Sequence, residues 1–389
     1  MFKWKKSGAA KAPRPKKSPL REWFDSMVFA VVAATLIRFL TVEAFAIPTP
    51  SMENSLLVGD FLFVSKLHYG IRTPKTPLQI PLTHQKIWGT DIPSFLDWVQ
   101  LPQYRLPGFT HVKNGDVVVF NYPPPKPGEE DYPTDLKTYL IKRCIGIPGD
   151  RVEIRQEQVL VNGKAFPRPV RSQTSYFIRT GEVLNERFFR KYGIVNDYNS
   201  AEGPFINWQP VEEFSKAARA NVLVGYQINA TQEAVEALKK LDWVKAVEPT
   251  TEPAGQAGPG IYGSTAFAWN LDNYGPLTIP KEGAAIPINR RTIAVYGTII
   301  SRYEGNENVQ VTPSEIRIGG QPIQSYTFRQ NYYFMMGDNR HNSEDSRYWG
   351  FVPEDHVLGK AVFVWMSVDP APADVWNKIR WNRLFRIIE

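Results

Sequence analysis

The sequence predicts a mainly β protein: an N-terminal transmembrane helix, then an antiparallel β-rich core interrupted by an α+β insertion. Three observations predict it. A basic tail runs into one apolar segment; short β-branched and aromatic runs follow, cut by turn residues; and the texture changes between about Pro169 and Thr278. The 32 prolines favour turns and β-structure over long helices.

The net charge of +7 is located before it is interpreted. Residues 1–21 hold eight Lys and Arg and no acid, so residues 22–389 sum to −1. The basicity therefore belongs to a tail. The rest of the chain has no general attraction for phosphate backbones, and a nucleic-acid partner is not expected. The apolar core of the following segment, Met27 to Ile37, is 11 residues long, the size of a signal-peptide core. Extended from Phe24 to Leu40 it reaches 17 residues, the lower limit for spanning a bilayer. Asp25 and Arg38 then sit near its two ends. A cleavable signal ending in Ala44–Ala46 is the rival to an uncleaved anchor. The basic tail predicts a cytoplasmic N-terminus, with the residues after about 46 on the far side of the membrane. The one cysteine, Cys144, excludes an intramolecular disulfide and does not fix the compartment.

Strands are expected at 59–67, 115–122, 138–147, 150–166 and 291–300, each rich in β-branched and aromatic residues and bounded by Gly, Pro, Asp or Asn. Asn162-Gly163 marks a tight turn within the fourth, and Pro148-Gly149 a type II turn before it. The insertion holds one convincing helix over 231–244, with Thr231 as N-cap and Val235, Leu238 and Leu241 on one face. The C-terminal segment mixes Trp376, Ile379, Trp381, Leu384 and Phe385 with Lys378, Arg380, Arg383 and Arg386. It suits either an anionic membrane surface or packing on the domain.

The chemistry is narrowed by elimination. The five histidines are scattered, with no H-E-x-x-H and no Cys pair, so neither a metal nor another cofactor is expected. There is no P-loop, no G-x-S-x-G and no S-x-x-K. A Ser-His-Asp triad is not excluded by spacing, since the fold joins its members. The other way to activate a serine is a lysine kept neutral. An exposed lysine titrates near ~10.4, and burial can lower that by ~3–5 units. Lys142, between Leu140-Ile141 and Cys144-Ile145 in an apolar strand, fits; a strand-edge lysine facing solvent is the plainer reading.

Three stretches, in one order, carry a resemblance. "IPTPSMENSLLVGD", "YLIKRCIGIPGD" and "YYFMMGDNRHNSEDSRYWGFVP" resemble the serine, lysine and Gly-Asp-Asn boxes of bacterial type I signal peptidases, and "HVKNGDVVVFNYP" is similar to a further strand of that family. The resemblance implies a membrane-bound serine endopeptidase with an antiparallel β catalytic core. Such an enzyme removes signal peptides from exported preproteins after an Ala-x-Ala-like site. It implies Ser51 as nucleophile and Lys142 as general base, with the Ser51 N–H and the Thr49 side chain as oxyanion hole. Thr49 stands where Ser is common. Ser343 is implied to orient the lysine, and Asp338, Asp345 and Arg347 to support it. Phe45, Ile47, Met52, Leu56, Leu140 and Ile141 are implied to line shallow pockets for small side chains. His341 departs from the family pattern and is expected to be a surface substitution.

The expected division is a basic cytoplasmic tail over 1–21, a transmembrane anchor over 22–46, the core over 47–168 and 285–389, and an inserted accessory subdomain over 169–284. The expected setting is the bacterial inner membrane, crossed once, with a periplasmic catalytic domain. Its partners would be signal peptides and the lipid bilayer. A catalytically silent, membrane-anchored binding or assembly protein is the rival; intact Ser51 and Lys142 argue against it.

Overall fold

The computed structural model describes residues 18–81, 83–124, 132–197, 204–215, 219–369 and 378–388. Most of the expected tail, residues 1–17, lies outside the described residues, as does Trp376. The first element is the helix Pro19–Leu40, 22 residues with none buried. At 1.5 Å per residue it is roughly 33 Å long, enough to cross a bilayer. Pro19 begins it, where a missing N–H costs nothing.

The anchor expected to run to Ala46 stops at Leu40. Val42–Ala46 is a strand, paired antiparallel with Asp60–Ser65. The reason lies in Glu43, which is buried between Arg38 and Lys66 at 2.6 and 2.8 Å. Burial alone raises its pKa, and the two cations bring it below the ordinary glutamate value. A paired charge of this kind needs the protein, not the lipid, as its surroundings.

The main sheet is antiparallel throughout. Its strands run in the order Val42–Ala46, Asp60–Ser65, Val357–Ser367, Val117–Asn121, Tyr139–Gly146, Tyr332–Met336 and Val352–Pro353. Arg386–Ile387 adds to the Val357–Ser367 strand. Alternating residues feed two apolar clusters, one around Met52, Leu56, Val119 and Val364, the other around Phe120, Cys144 and Met335. In a second sheet the expected run 150–166 is broken into Arg151–Arg155, Gln158–Val161 and Lys164–Ala165, with a turn at Gln156-Glu157 that was not expected and the expected one at Asn162-Gly163. Asn162 and Gly163 both take positive φ at the latter.

Two elements differ from expectation. The run 291–300 is a helix, Arg290–Arg302, not a strand. Asn289 and Thr292 form a reciprocal capping box. Ile293, Tyr296 and Ile300 fall on one helical face and are buried, so the 3.6 period outweighs the β-branched composition. The insertion helix is shorter than expected, Gln232–Leu238, though Thr231 caps it through Ala234 N at 3.2 Å. Within the insertion, strands Gln173–Arg179, Trp208–Ser215, Ala220–Thr231 and Ala246–Pro249 form one antiparallel sheet. With the helices Glu186–Lys191 and Gln232–Leu238 they follow the β-α-β-β-α-β order of a ferredoxin-like unit. The described part of the C-terminal segment packs on the core: Arg383 is buried and bonds both oxygens of Asp60, at 2.9 and 2.5 Å.

Candidate active site

The site is assembled from three places. Pro48 and Pro50 stiffen the exit from the first strand, and Ile47 is fixed by backbone bonds to Asp60 O and from Gly59 N. The chain then makes a single 3-10 turn, Pro50–Met52, closed by Glu53 N on Pro50 O at 2.9 Å and Leu56 N on Met52 O at 2.7 Å. Ser51 sits in this turn, 5% exposed. Its backbone N–H belongs to a first turn, whose N–H groups have no partner within the helix. Thr49 precedes the turn in extended backbone, and its side chain does not cap it.

Lys142 comes from the strand Tyr139–Gly146, opposite Val118. It is 3% exposed, and its Nζ lies 2.7 Å from Ser51 Oγ and 3.2 Å from Ile141 O. The serine and lysine are 91 residues apart in the chain and meet in a buried place.

The third contribution is the loop after Tyr332–Met336. Gly337 packs so closely that an added Cβ would lie 2.2 Å from Ser343 Oγ and 2.5 Å from Ser51 O. Asn339, fully buried, donates its N–H to Ser51 O at 3.1 Å and its Nδ2 to Pro50 O at 3.3 Å. Asp345 and Arg347 are doubly bonded, at 2.9 and 2.8 Å, and Asp345 also accepts the Gly337 N–H at 3.0 Å. Burial raises the Asp345 pKa, and Arg347 more than offsets this, so the carboxylate stays below its ordinary value. Asp338 meets Arg143 in the same two-pronged way, at 2.9 and 2.7 Å, and accepts Ser55 Oγ at 2.6 Å. Its pKa too is lowered, with burial opposing and Arg143 prevailing. Removing one partner of such a pair strands a buried charge, at a cost of about 3–5 kcal/mol.

Sequence reasoning missed Arg143 and Asn339. Arg143 carried a signal, a second cation beside Lys142 in an apolar strand, but its partner is 195 residues away. Ser343 is not bonded to the lysine; its buried Oγ has no hydrogen-bond partner. Among the expected pocket residues, Phe45, Ile47, Met52, Leu56 and Ile141 share one apolar cluster, with Met52 and Leu56 forming its floor. Leu140 is a correction. It packs in the other cluster, because neighbours on a strand face opposite sides of the sheet.

His341 is not a surface substitution. Its side chain is 11% exposed, with Nε2 on Asp272 Oδ1 at 2.9 Å and Nδ1 taking the Ser175 N–H at 3.1 Å. With Glu157 it forms the one trio of potential metal ligands among the described residues. Both ring nitrogens are committed to these bonds, which leaves the imidazole no free lone pair. A cleft of ≈ 1060 Å³ is lined by Ser55 and Arg143, neighbours of the serine and lysine in the chain, and not by Ser51 or Lys142 themselves. Glu53, two residues after the serine, is buried; desolvation pushes its pKa up to about 8 against the pull of Arg380.

A buried serine in a 3-10 turn thus lies 2.7 Å from a buried lysine of the antiparallel sheet, a separation at which a neutral lysine can take a serine's proton. The chain matches the family described as Signal peptidase, peptidase S26, over residues 20–191 and 279–366. It belongs to that family and is a serine endopeptidase. Three proteins called Signal peptidase I are similar along most of its length. The protein of Helicobacter pylori is 25% identical, covering 94% of this chain and 91% of its own. The one from Haemophilus influenzae is 26% identical, covering 94% and 75%. The one from Buchnera aphidicola subsp. Schizaphis graminum is 25% identical, covering 90% and 77%. The family match leaves residues 192–278 uncovered, a span that holds most of the ferredoxin-like unit.

Proposed function

We propose that this membrane-anchored serine peptidase removes signal peptides from exported preproteins after an Ala-x-Ala-like site, with Ser51 as nucleophile and Lys142 as base. The observation that carries the reading is the 2.7 Å approach of Lys142 Nζ to Ser51 Oγ, away from water, in a chain of the signal peptidase family. The Ser51 hydroxyl attacks the carbonyl carbon of the −1 residue and gives its proton to the neutral amine. The Ser51 N–H and the Thr49 hydroxyl, engaged in no cap, face the developing oxyanion. The resulting ammonium then protonates the leaving nitrogen, and the C–N bond breaks to leave an ester on Ser51. Lys142, neutral again, deprotonates the water that attacks the ester and returns that proton to the Ser51 oxygen as its C–O bond breaks. Asp338, Asp345 and Arg347 keep the serine turn in place through Arg143 and Gly337.

Phe45, Ile47 and Ile141, over a floor of Met52 and Leu56, form pockets that accept alanine and exclude larger groups. The helix Pro19–Leu40 spans the membrane with the basic tail on the cytoplasmic side, so that Ser51 works near the outer face. Residues 47–168 and 285–389 form the catalytic core, and 169–284 an accessory subdomain.

The test is cleavage of an Ala-x-Ala preprotein by the detergent-purified full chain. A single cut after the −1 alanine, absent in Ser51→Ala and Lys142→Ala, is expected. Full activity in Lys142→Ala would remove the lysine from the mechanism.

A further inference from the structure

Asn339 is gripped from two sides. On one side is the serine turn, where it gives its N–H to Ser51 O at 3.1 Å and its Nδ2 to Pro50 O at 3.3 Å. On the other is Asn207, whose Oδ1 receives the same Nδ2 at 3.1 Å. A primary amide nitrogen has two hydrogens, held in one plane. Both are used here, one on each partner, so the side chain cannot turn fully to one without leaving the other. Asn339 is fully buried, and a partner lost there is not replaced by solvent.

The partners also fix which way each amide points. Pro50 O only accepts, so Nδ2 of Asn339 must face it. Val195 O, 2.6 Å from Asn207 Nδ2, orients Asn207 in the same manner and turns its Oδ1 to the loop. That oxygen collects Asn339 Nδ2 and Asn342 Nδ2, both at 3.1 Å, with Asn229 Nδ2 further off at 3.4 Å.

Asn207 is itself held firmly, at 1% exposure. Its N–H bonds Asn196 Oδ1 at 2.7 Å, and its carbonyl takes the Asn229 N–H at 2.7 Å. Asn196 also bonds the N–H and the carbonyl of Trp208, at 2.9 Å each. Trp208 stacks on Phe189 with ring centroids 4.4 Å apart. A line of contacts therefore runs from the apolar core of the ferredoxin-like unit, through Asn207 and Asn339, to the carbonyls of Pro50 and Ser51. A buried polar network of this kind rigidifies the groups it joins. The family match takes in Ser51, Lys142 and Asn339 but not Asn207, since it stops at 191 and resumes at 279.

We propose that Asn207 is a positioning residue for the reaction: acting through Asn339, it sets the Pro50–Met52 turn and so the approach of the Ser51 hydroxyl to Lys142. This rests on reading Ser51 as the nucleophile. A residue that only stabilised the fold would lower Tm and leave turnover alone. One that positions the serine lowers kcat and leaves KM.

The test measures kcat and KM on an Ala-x-Ala preprotein with the detergent-purified full chain, well below the Tm of each variant. Asn207→Ala, Asn339→Ala, the two together and Thr231→Ala are compared with the parent, and Ser51→Ala is run alongside. Asn207→Ala should lower kcat about tenfold, short of the ~100-fold that a 1 Å misplacement costs, with KM within about twofold. Added to Asn339→Ala it should cost nothing further, because its route to the serine is already cut. Thr231→Ala removes a helix cap in the same unit, away from the loop, and should keep the parent kcat. If Asn207→Ala does not fold, Asn207→Ser, too short to reach Asn339, is read by the same criteria. Parent kcat in the Asn207 variant, a loss confined to KM, a loss that multiplies with that of Asn339→Ala, or an equal loss in Thr231→Ala each overturns the positioning role. Any of these with Ser51→Ala inert leaves the nucleophile standing; activity in Ser51→Ala overturns the reading of the serine and this proposal with it.

Discussion

Gly337 has no side chain because Ser51 O and Ser343 Oγ occupy the space that one would need. Gly337→Ala must push aside either the Ser51 carbonyl or the loop that carries Ser343. A displacement of about 1 Å at a reacting group costs on the order of a hundredfold in rate. We expect kcat/KM on a signal-peptide substrate to fall by that order; a variant that retains the parent rate would show that the turn is not held there. Glu53 gives a second expectation at this scale. Its carboxyl titrates near 4.5 when unfolded and is pushed up to about 8 in the fold by burial. The folded state therefore holds that proton more tightly, and the associated stability, complete below pH 4.5, is lost as pH rises to about 8. Glu53→Gln removes this dependence. It should raise Tm at pH 9, where the buried charge costs on the order of a few kcal/mol, and change it little at pH 5; the same shift at both values would contradict this. Ser51 and Lys142 were readable through the resemblance of the boxes that hold them, a serine directly after Pro48-Thr49-Pro50 and a cation in an apolar strand. Arg143 and Asn339 were not, since their roles depend on partners supplied from far along the chain.

Elements show the same division between local and distant causes. Thr231 was readable as a cap because capping is settled within four residues. The run 291–300 misled because β-branched residues suit a strand, whereas the Asn289–Thr292 capping box and the buried face of Ile293, Tyr296 and Ile300 decide for a helix. Asn289 also accepts from Arg291 N and Thr292 N at 3.0 and 3.1 Å. Asn289→Ala should destabilise by ~1 kcal/mol, read as a lower urea midpoint with an unchanged slope; an unchanged midpoint would mean that the helix start needs no cap. The end of the N-terminal apolar helix was misplaced for a different reason. The apolar segment ends at Leu40, and the burial of Glu43 between Arg38 and Lys66 shows why Val42–Ala46 belongs to the sheet.

At the scale of the molecule, residues 173 and 207 are stitched to the loop after Tyr332–Met336. Gln173 N bonds Asp338 O, Arg340 N bonds Gln173 O, and Asn207 Oδ1 receives both Asn339 Nδ2 and Asn342 Nδ2 at 3.1 Å. The part of the chain least like the family thus borders the loop that supports Ser51. None of this was visible in the sequence, which marks the insertion by texture alone. The mainly β architecture was visible, because most core strands announce themselves by composition and turns. The central claim is that Ser51 and Lys142 act as one unit, and the most direct measurement is a double-mutant cycle. kcat/KM for an Ala-x-Ala preprotein would be compared among the parent chain, Ser51→Ala, Lys142→Ala and the double variant, all reconstituted in vesicles. Groups that act together lose everything once, so each single variant should fall as far as the double. Losses that multiply in the double variant would contradict the dyad.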